Sequence, residues 1–280
     1  MDDFLKSLSN EFTKEAGKVT DYIGRLCKVN KTNLITNIYQ VFAGMDMPSW
    51  DGESVIDLTP KYQISLTQKY WRQGVRFTWK TKLFEKRDYM TACIHSLALA
   101  MASQKQSVVV NFFNEQLAGE GAKWCEDEGC YLFSLMHPLA NGCNFSNLLP
   151  DADLTVSSYS DAVSLLKTIP NDQGMPMDIQ EVRLWVHLIN LQRAHEVVEA
   201  YYGNNETNPV EVVGCPYLKY YEGWFLQGDY NQVRCDVAVD MNQCQWIDED
   251  TQATIHEAIF ALSVGALDWR GWVGSRGFVQ

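Results

Sequence analysis

Between Tyr89 and Ala118 the chain has neither glycine nor proline. Apolar residues recur there at Met90, Ile94, Leu97, Met101, Val108 and Phe112, with Ala98, Val109 and Phe113 beside them. That spacing, unbroken, predicts a single helix over 88–117. Asp88 can accept from the first free backbone N–H groups as an N-cap, and Gly119 and Gly121 are stop signals. At roughly 1.5 Å per residue the helix is about 45 Å long, more than a typical globular helix, and would cross a whole domain. The rest of the chain has to be arranged along it.

With 280 residues the chain can bury a real core in one or two domains. No apolar run is long enough for a transmembrane helix. The opening MDDFLKSLSNEF has acids where a secretory leader has bases, and the eight scattered cysteines read as free thiols, so a cytosolic chain is expected. A net charge of −12 excludes a protein that grips nucleic acid over its whole surface. The charge is also uneven. Lys61, Lys69, Arg72, Arg76, Lys80, Lys82, Lys86 and Arg87 face one acid, Glu85, so 61–87 carries +7 and the remainder −19. Residues 236–257 hold six acids and no Lys or Arg. A basic arm and an acidic body fit a protein that lays its arm over a copy of itself; a solvated charged loop fits equally well.

Residues 1–45 read as helical. Leu5, Leu8, Phe12, Ala16, Val19, Ile23 and Leu26 form one stripe, and Leu34, Ile38, Val41 and Phe42 a second. Residues 46–60, with Pro48, Gly52 and Pro60, read as a linker. Residues 61–84 read as a projecting hairpin of strands 63–71 and 75–83 turning at Gly74. Beyond the long helix, a helix is predicted over 159–166 with Ser157, Ser158 or Ser160 as cap, a turn over 171–176, a strand over 181–187, and a helix over 191–202 closed by Gly203-Asn204-Asn205. Strands follow at 210–213, 224–227 and 233–239, and 254–264 is compatible with helix or strand.

Cys125, Cys130, His137 and Cys143 have the residue types of a tetrahedral zinc site. Their spacing lacks paired C-x-x-C motifs, and cysteine is as often a small buried apolar residue. A thiol–histidine pair with His187 or His195 has no nucleophile motif to support it, and neither a phosphate-binding loop nor a dinucleotide glycine pattern occurs. Trp71, Phe77 and Trp79 among the bases would suit stacked nucleic-acid bases, but paired strands need their aromatic face for packing.

Six motifs then line up in order. They are Glu85-Lys86-Arg87-Asp88-Tyr89, and Phe112-Phe113-Asn114; Leu132-Phe133-Ser134 with His137-Pro138-Leu139, Gly142 and Asn147; Gly174-Met175-Pro176-Met177 with 182–187 and 194–198; Pro216-Tyr217-Leu218 with Trp224-Phe225-Leu226; and Asp268-Trp269-Arg270-Gly271 with Gly274-Ser275 and Gly277. In this order they resemble the major capsid proteins of tailed double-stranded DNA phages, the Hong Kong-97-type family. His187 stands where relatives usually have proline, and the start of the long helix lacks their double acid.

The resemblance implies an α+β, Hong Kong-97-like capsid fold. Its parts would be an N-arm (1–50), an extended β-hairpin loop (51–87), a peripheral domain with the spine helix (88–150, completed by 240–280) and an axial α/β domain (151–239). It implies a non-enzymatic head protein, without cofactor or metal, that assembles into hexamers and pentamers of an icosahedral shell around double-stranded DNA. Contacts with neighbouring copies would fall on Lys69, Trp71, Arg72, Gln73, Gly74 and Arg76 of the loop and on Phe4, Leu8 and Phe12 of the arm. The family's covalent link between a loop lysine and a neighbour's asparagine would fall on Lys69, but nothing marks the partner and no crosslink is expected. The arm is too short for a fused scaffolding domain, so a separate scaffolding protein is expected, with a portal, packaged DNA as non-specific content, room for a decoration protein, and no membrane. Assembly in the host cytoplasm into a virion capsid follows. The alternatives are an encapsulin-like nanocompartment shell, a zinc- or thiol-dependent cytosolic enzyme, and a single-stranded nucleic-acid binder.

Overall fold

The computed structural model describes residues 2–42, 60–84, 86–125, 127–139, 142–203 and 209–277. The expected linker over 46–60, apart from Pro60, and Asn204-Asn205 lie outside them, as do Glu85 and the Phe4 side chain. In order the elements are α1 (Asp2–Ala16), α2 (Ile23–Leu26), β1 (Lys28–Lys31), β2 (Thr36–Phe42), β3 (Pro60–Thr67), β4 (Lys69–Phe77), α3 (Trp79–Leu83), α4 (Arg87–Ala118), β5 (His137–Pro138), β6 (Asn144–Phe145) and β7 (Leu148–Leu149). Then come α5 (Val156–Thr168), β8 (Glu181–His187), a 3₁₀ turn at Leu188–Asn190, α6 (Leu191–Tyr202), β9 (Glu211–Cys215), β10 (Trp224–Gly228), β11 (Val233–Asp248), β12 (Ala253–Ala266) and β13 (Trp272–Ser275). Two compact units share them: residues 1–37, 66–109 and 235–264 in one, 38–65, 110–234 and 265–280 in the other. The chain crosses between them within α4.

The first unit holds a four-stranded sheet, β1-β11-β12-β4. β4 runs antiparallel to β12 from Phe77 opposite Thr254 to Lys69 opposite Leu262. Met90, Ile94, Leu97, Ala98 and Met101 of α4 are buried, the spacing expected of one helix face. Asp88 sits inside the first turn of α4 rather than capping it, where a carboxylate still favours the positive end of the helix. Asp236 organises the β1–β2 corner: it accepts from Asn30 Nδ2 at 3.2 Å and from the buried Asn37 Nδ2 at 2.7 Å.

The second unit holds a five-stranded sheet, β7-β13-β10-β8-β9. β10 is antiparallel to β13 and β8, and β8 is parallel to β9 through the α6 crossover. Its core is aromatic. Phe113 stacks on Phe225 at 5.5 Å and meets Trp272 at 4.9 Å, and Phe133 meets Phe225 at 5.7 Å. Over this part of α4 Val110, Phe113, Asn114, Gln116 and Leu117 are buried, while the expected Phe112, and Val108 before it, are half-buried. Thr155 caps α5 in a reciprocal box with Ser158, so one of the three serines expected as caps serves as the cap's partner. Gly203 closes α6 in the left-handed region, φ 74°.

Two expectations are corrected. The second stripe of the arm is a strand, β2, not a helix; its β-branched Thr36, Ile38 and Val41 suit a pleat. The hairpin expected over 61–84 does not form. β3 pairs with β2, and β4 with β12. Gln68 makes the break: its buried side chain donates to Asp236 O and Ser263 Oγ, both at 3.2 Å. Gly74 is no turn. It lies mid-strand opposite Glu257, where a Cβ would stand 3.1 Å from the His256 carbonyl oxygen. The second expected strand ends at Phe77, and residues 79–83 are helical.

Candidate assembly surfaces

The six loop residues singled out by sequence all fall on β4, the edge strand of the first sheet. Alternation along a strand sends neighbours to opposite faces. Trp71 turns inward and stacks on Phe260, ring centroids 5.0 Å apart and 13° from parallel. Arg72 turns outward and its guanidinium meets Glu257 at 2.6 Å. Arg76 meets Asp248 at 2.7 Å. Lys69, Gln73 and Gly74 are exposed. The outer edge of β4 pairs with no strand among the described residues, which leaves a row of backbone donors and acceptors facing outward.

These ion pairs bear on the charge split. In the first unit, bases of the 61–87 segment meet acids of 236–257 within one chain. In the second, Lys61 of β3 reaches Glu128 at 3.2 Å and Asp172 at 3.1 Å. Burial pushes the Glu128 carboxyl up, against the pull of Lys61. Part of the complementarity that suggested a neighbouring copy is therefore used inside the subunit.

Sequence reasoning missed the exposed apolar side chains of the β2 region. Leu34, Ile35, Ile38 and Phe42 are 61%, 67%, 60% and 46% exposed. Ile38, Gln40 and Phe42 stand on one face of β2, while the alternate Asn37 is buried and Tyr39 and Val41 half-buried. The signal was present as period-two alternation and was hidden by the equally good fit of Leu34, Ile38, Val41 and Phe42 to helical spacing. On the arm, Leu8 and Phe12 are each 1% exposed and pack within their own unit.

Cys125, Cys130, His137 and Cys143 do not converge on a metal. Cys125 is buried and Cys143 exposed, and Cys130 Sγ points at the Met136 carbonyl oxygen, 3.1 Å away. Burial pushes the Cys125 and Cys130 thiols up, the opposite of what a nucleophile needs. His137 is fully buried, stacked on Trp269 at 4.0 Å and bonded through Nε2 to Asn147 Oδ1 at 3.0 Å. Burial pushes its imidazole down to about 3, so it is neutral. Asn147 is the hub here: its oxygen also accepts from Ser134 N, and its amide donates to Leu132 O and Trp272 O. His187 Nδ1 accepts from Ile189 N and starts the turn into α6. Among the described residues, one group of ligand-type atoms lies within 4.8 Å of one another: Glu11, Glu15 and His95. His95 already meets Glu11 at 3.1 Å, and Lys18 meets Glu15. No helix among the described residues is long and apolar enough to cross a membrane.

No protein-family model matches the sequence, and none of the curated proteins does. Solved structures do match, over nearly the whole chain. The virus-like particle from Pyrococcus furiosus is 8% identical with a TM-score of 0.61, covering 96% of this chain and 98% of that one. A chain of Microbacterium phage Oxtober96 is 9% identical with a TM-score of 0.57, covering 92% and 91%. The capsid of the cyanophage P-SCSP1u is 8% identical with a TM-score of 0.56, covering 94% and 91%. At such identities the likeness is one of fold.

Proposed function

We propose that this chain, whose fold is the Hong Kong-97-type capsid fold, is the major head protein of a tailed double-stranded DNA phage. The observation that carries the reading is coverage: shell subunits match nearly end to end, 96% of this chain and 98% of the archaeal particle's. The role is structural, not enzymatic. Copies join as hexamers and pentamers into an icosahedral shell around packaged DNA. Residues 151–239 form the axial domain, residues 88–150 and 240–280 the peripheral domain. The extended loop is residues 51–87, which include β3 and β4. Ile38 and Phe42 in the second unit and, separately, Lys69, Trp71, Arg72, Gln73, Gly74 and Arg76 in the first are the residues offered to neighbouring copies. Phe4, Leu8 and Phe12 are the arm contacts; Leu8 and Phe12 are buried, so they serve a neighbour only once α1 has left its own sheet. A separate scaffolding protein and a portal are the expected partners, with room for a decoration protein, and assembly takes place in the host cytoplasm.

Negative-stain electron microscopy with light scattering tests this on the protein expressed alone and with the products of its neighbouring genes. Closed shells, or rings of five and six, are expected. A chain that stays monomeric in every combination overturns the proposal. The match to a virus-like particle favours one second reading, a nanocompartment shell that encloses protein cargo. Portal and terminase genes beside this one would decide for the phage head; a cargo-enzyme gene would decide for the compartment.

A further inference from the structure

α1 lies against the β11–β12 part of its own unit. Gln243 Nε2 on β11 donates to Thr13 Oγ1 at 3.1 Å. Phe12 covers His256 of β12, ring centroids 6.0 Å apart. His256 is fully buried, and neither Nδ1 nor Nε2 has a hydrogen-bond partner. A buried polar group left unpaired destabilises the fold, and an apolar residue would fill the place without that cost. A charge in the same place would cost far more.

Most of the described charged and titratable groups on the flanking elements are engaged elsewhere; on β11, Asp236 accepts from Asn30 and Asn37, and Asp240 meets Lys105 of α4. On α1, Glu11 meets His95 of α4, and Glu15 meets Lys18 just beyond the helix; Lys14 lies in the last turn. On β4, Arg72 holds Glu257 and Arg76 holds Asp248. On β11, Cys244 Sγ points at Glu257 at 3.7 Å. None reaches the His256 ring.

We propose that His256 is an acid-operated release for α1: a proton on its ring places an unpaired charge beneath Phe12, and lifting α1 returns that charge to water. Burial holds the imidazole below its ordinary range while α1 is seated. The seated state therefore binds the proton less tightly than the open one. Seating is fully stable above the ordinary imidazole range and is lost as the pH falls through the depressed value. His95 of α4 is the other histidine at α1, and its Nε2 meets Glu11 at 3.1 Å. Use of the freed Leu8 and Phe12 by a neighbouring copy rests on the capsid reading; the release itself does not.

The test is amide exchange in the full chain from pH 7.5 to 4.5, corrected for the chemical rate at each pH. The reporters are a peptide covering residues 7–16 and a control peptide covering β8. Wild type is compared with H256L and H95Q. In wild type the α1 peptide should open relative to H256L as the pH falls, with a slope approaching about tenfold per pH unit for one proton. H256L should be flat, H95Q should keep the rise, and the β8 peptide should not respond. If H256L does not accumulate, H256M gives the same reading. Wild-type and H256L profiles that coincide, or a β8 peptide that opens in step with α1, would overturn the proposal. Neither result depends on whether the chain builds shells, which microscopy reads separately.

Discussion

Arg270 is 4% exposed and spends its whole fork inside the protein. Nε donates to Pro170 O at 2.8 Å, Nη1 to both Asp268 oxygens at 3.1 Å, and Nη2 to Asp172 at 3.0 Å. Asp172 also holds Lys61 of β3, so one network joins the C-terminal Trp-Arg-Gly turn to the start of β3. Arg270→Met would leave the buried Asp268 without a cation and Asp172 with Lys61 alone. The expected cost is about 3–5 kcal/mol, read as a fall in the urea midpoint, and Arg270→Lys should recover only part of it because an ammonium lacks the planar fork. The next residue is fixed as firmly. Gly271 has φ 91°, and a Cβ there would stand 1.7 Å from the Tyr230 carbonyl oxygen. His137 makes a prediction of opposite character. Burial lowers its imidazole to about 3, so its contribution to stability is whole above the ordinary imidazole range and is lost only as the pH falls toward that value. Its ring resonances should therefore not titrate between pH 5 and 8 in nuclear magnetic resonance spectra, and a midpoint near 6.5 would contradict the packed geometry. Both residues were visible in the sequence as parts of motifs. What they do was not, since a histidine among cysteines reads as a ligand until Trp269 and Asn147 are seen to enclose it.

Among the elements, those set by local chemistry were legible. The strand at Glu181–His187 and the helix at Leu191–Tyr202 fall where alternation and the closing Gly203 put them. The long helix runs from Arg87 to Ala118, one residue beyond the expected span at each end. Pairing was not legible. Val75, Arg76 and Phe77 alternate correctly for a strand, but alternation says which faces exist and not which strand lies alongside. Gly74 looked like a turn because φ is free at glycine, whereas the structure uses its missing side chain for close approach to β12. The relocated hairpin carries its own prediction. Ile38 and Phe42 stand in solvent, so I38D with F42D should leave the subunit's unfolding midpoint nearly unchanged, within about 0.5 kcal/mol. Shell formation followed by light scattering should be lost. A large loss of subunit stability would mean these side chains serve the subunit and not a neighbour.

For the whole molecule, the order of motifs carried more than their content. Leu132-Phe133, Asn147, Trp224-Phe225 and Trp269-Arg270-Gly271 all end up buried in one unit, and the likeness of fold to solved structures stands at 8% identity. The first unit has a different consequence, which concerns time. It is assembled from three separated stretches, and β4 finds its partner β12 about 180 residues later. At synthesis rates of about 5–20 residues per second, β4 waits roughly 10–40 s on the ribosome with its edges bare. Contacts between such distant segments also form slowly. A broken or truncated chain never completes this sheet. An intact first-unit sheet is thus a record that translation has passed β12, and any contact that accepts only that sheet excludes copies broken off before it.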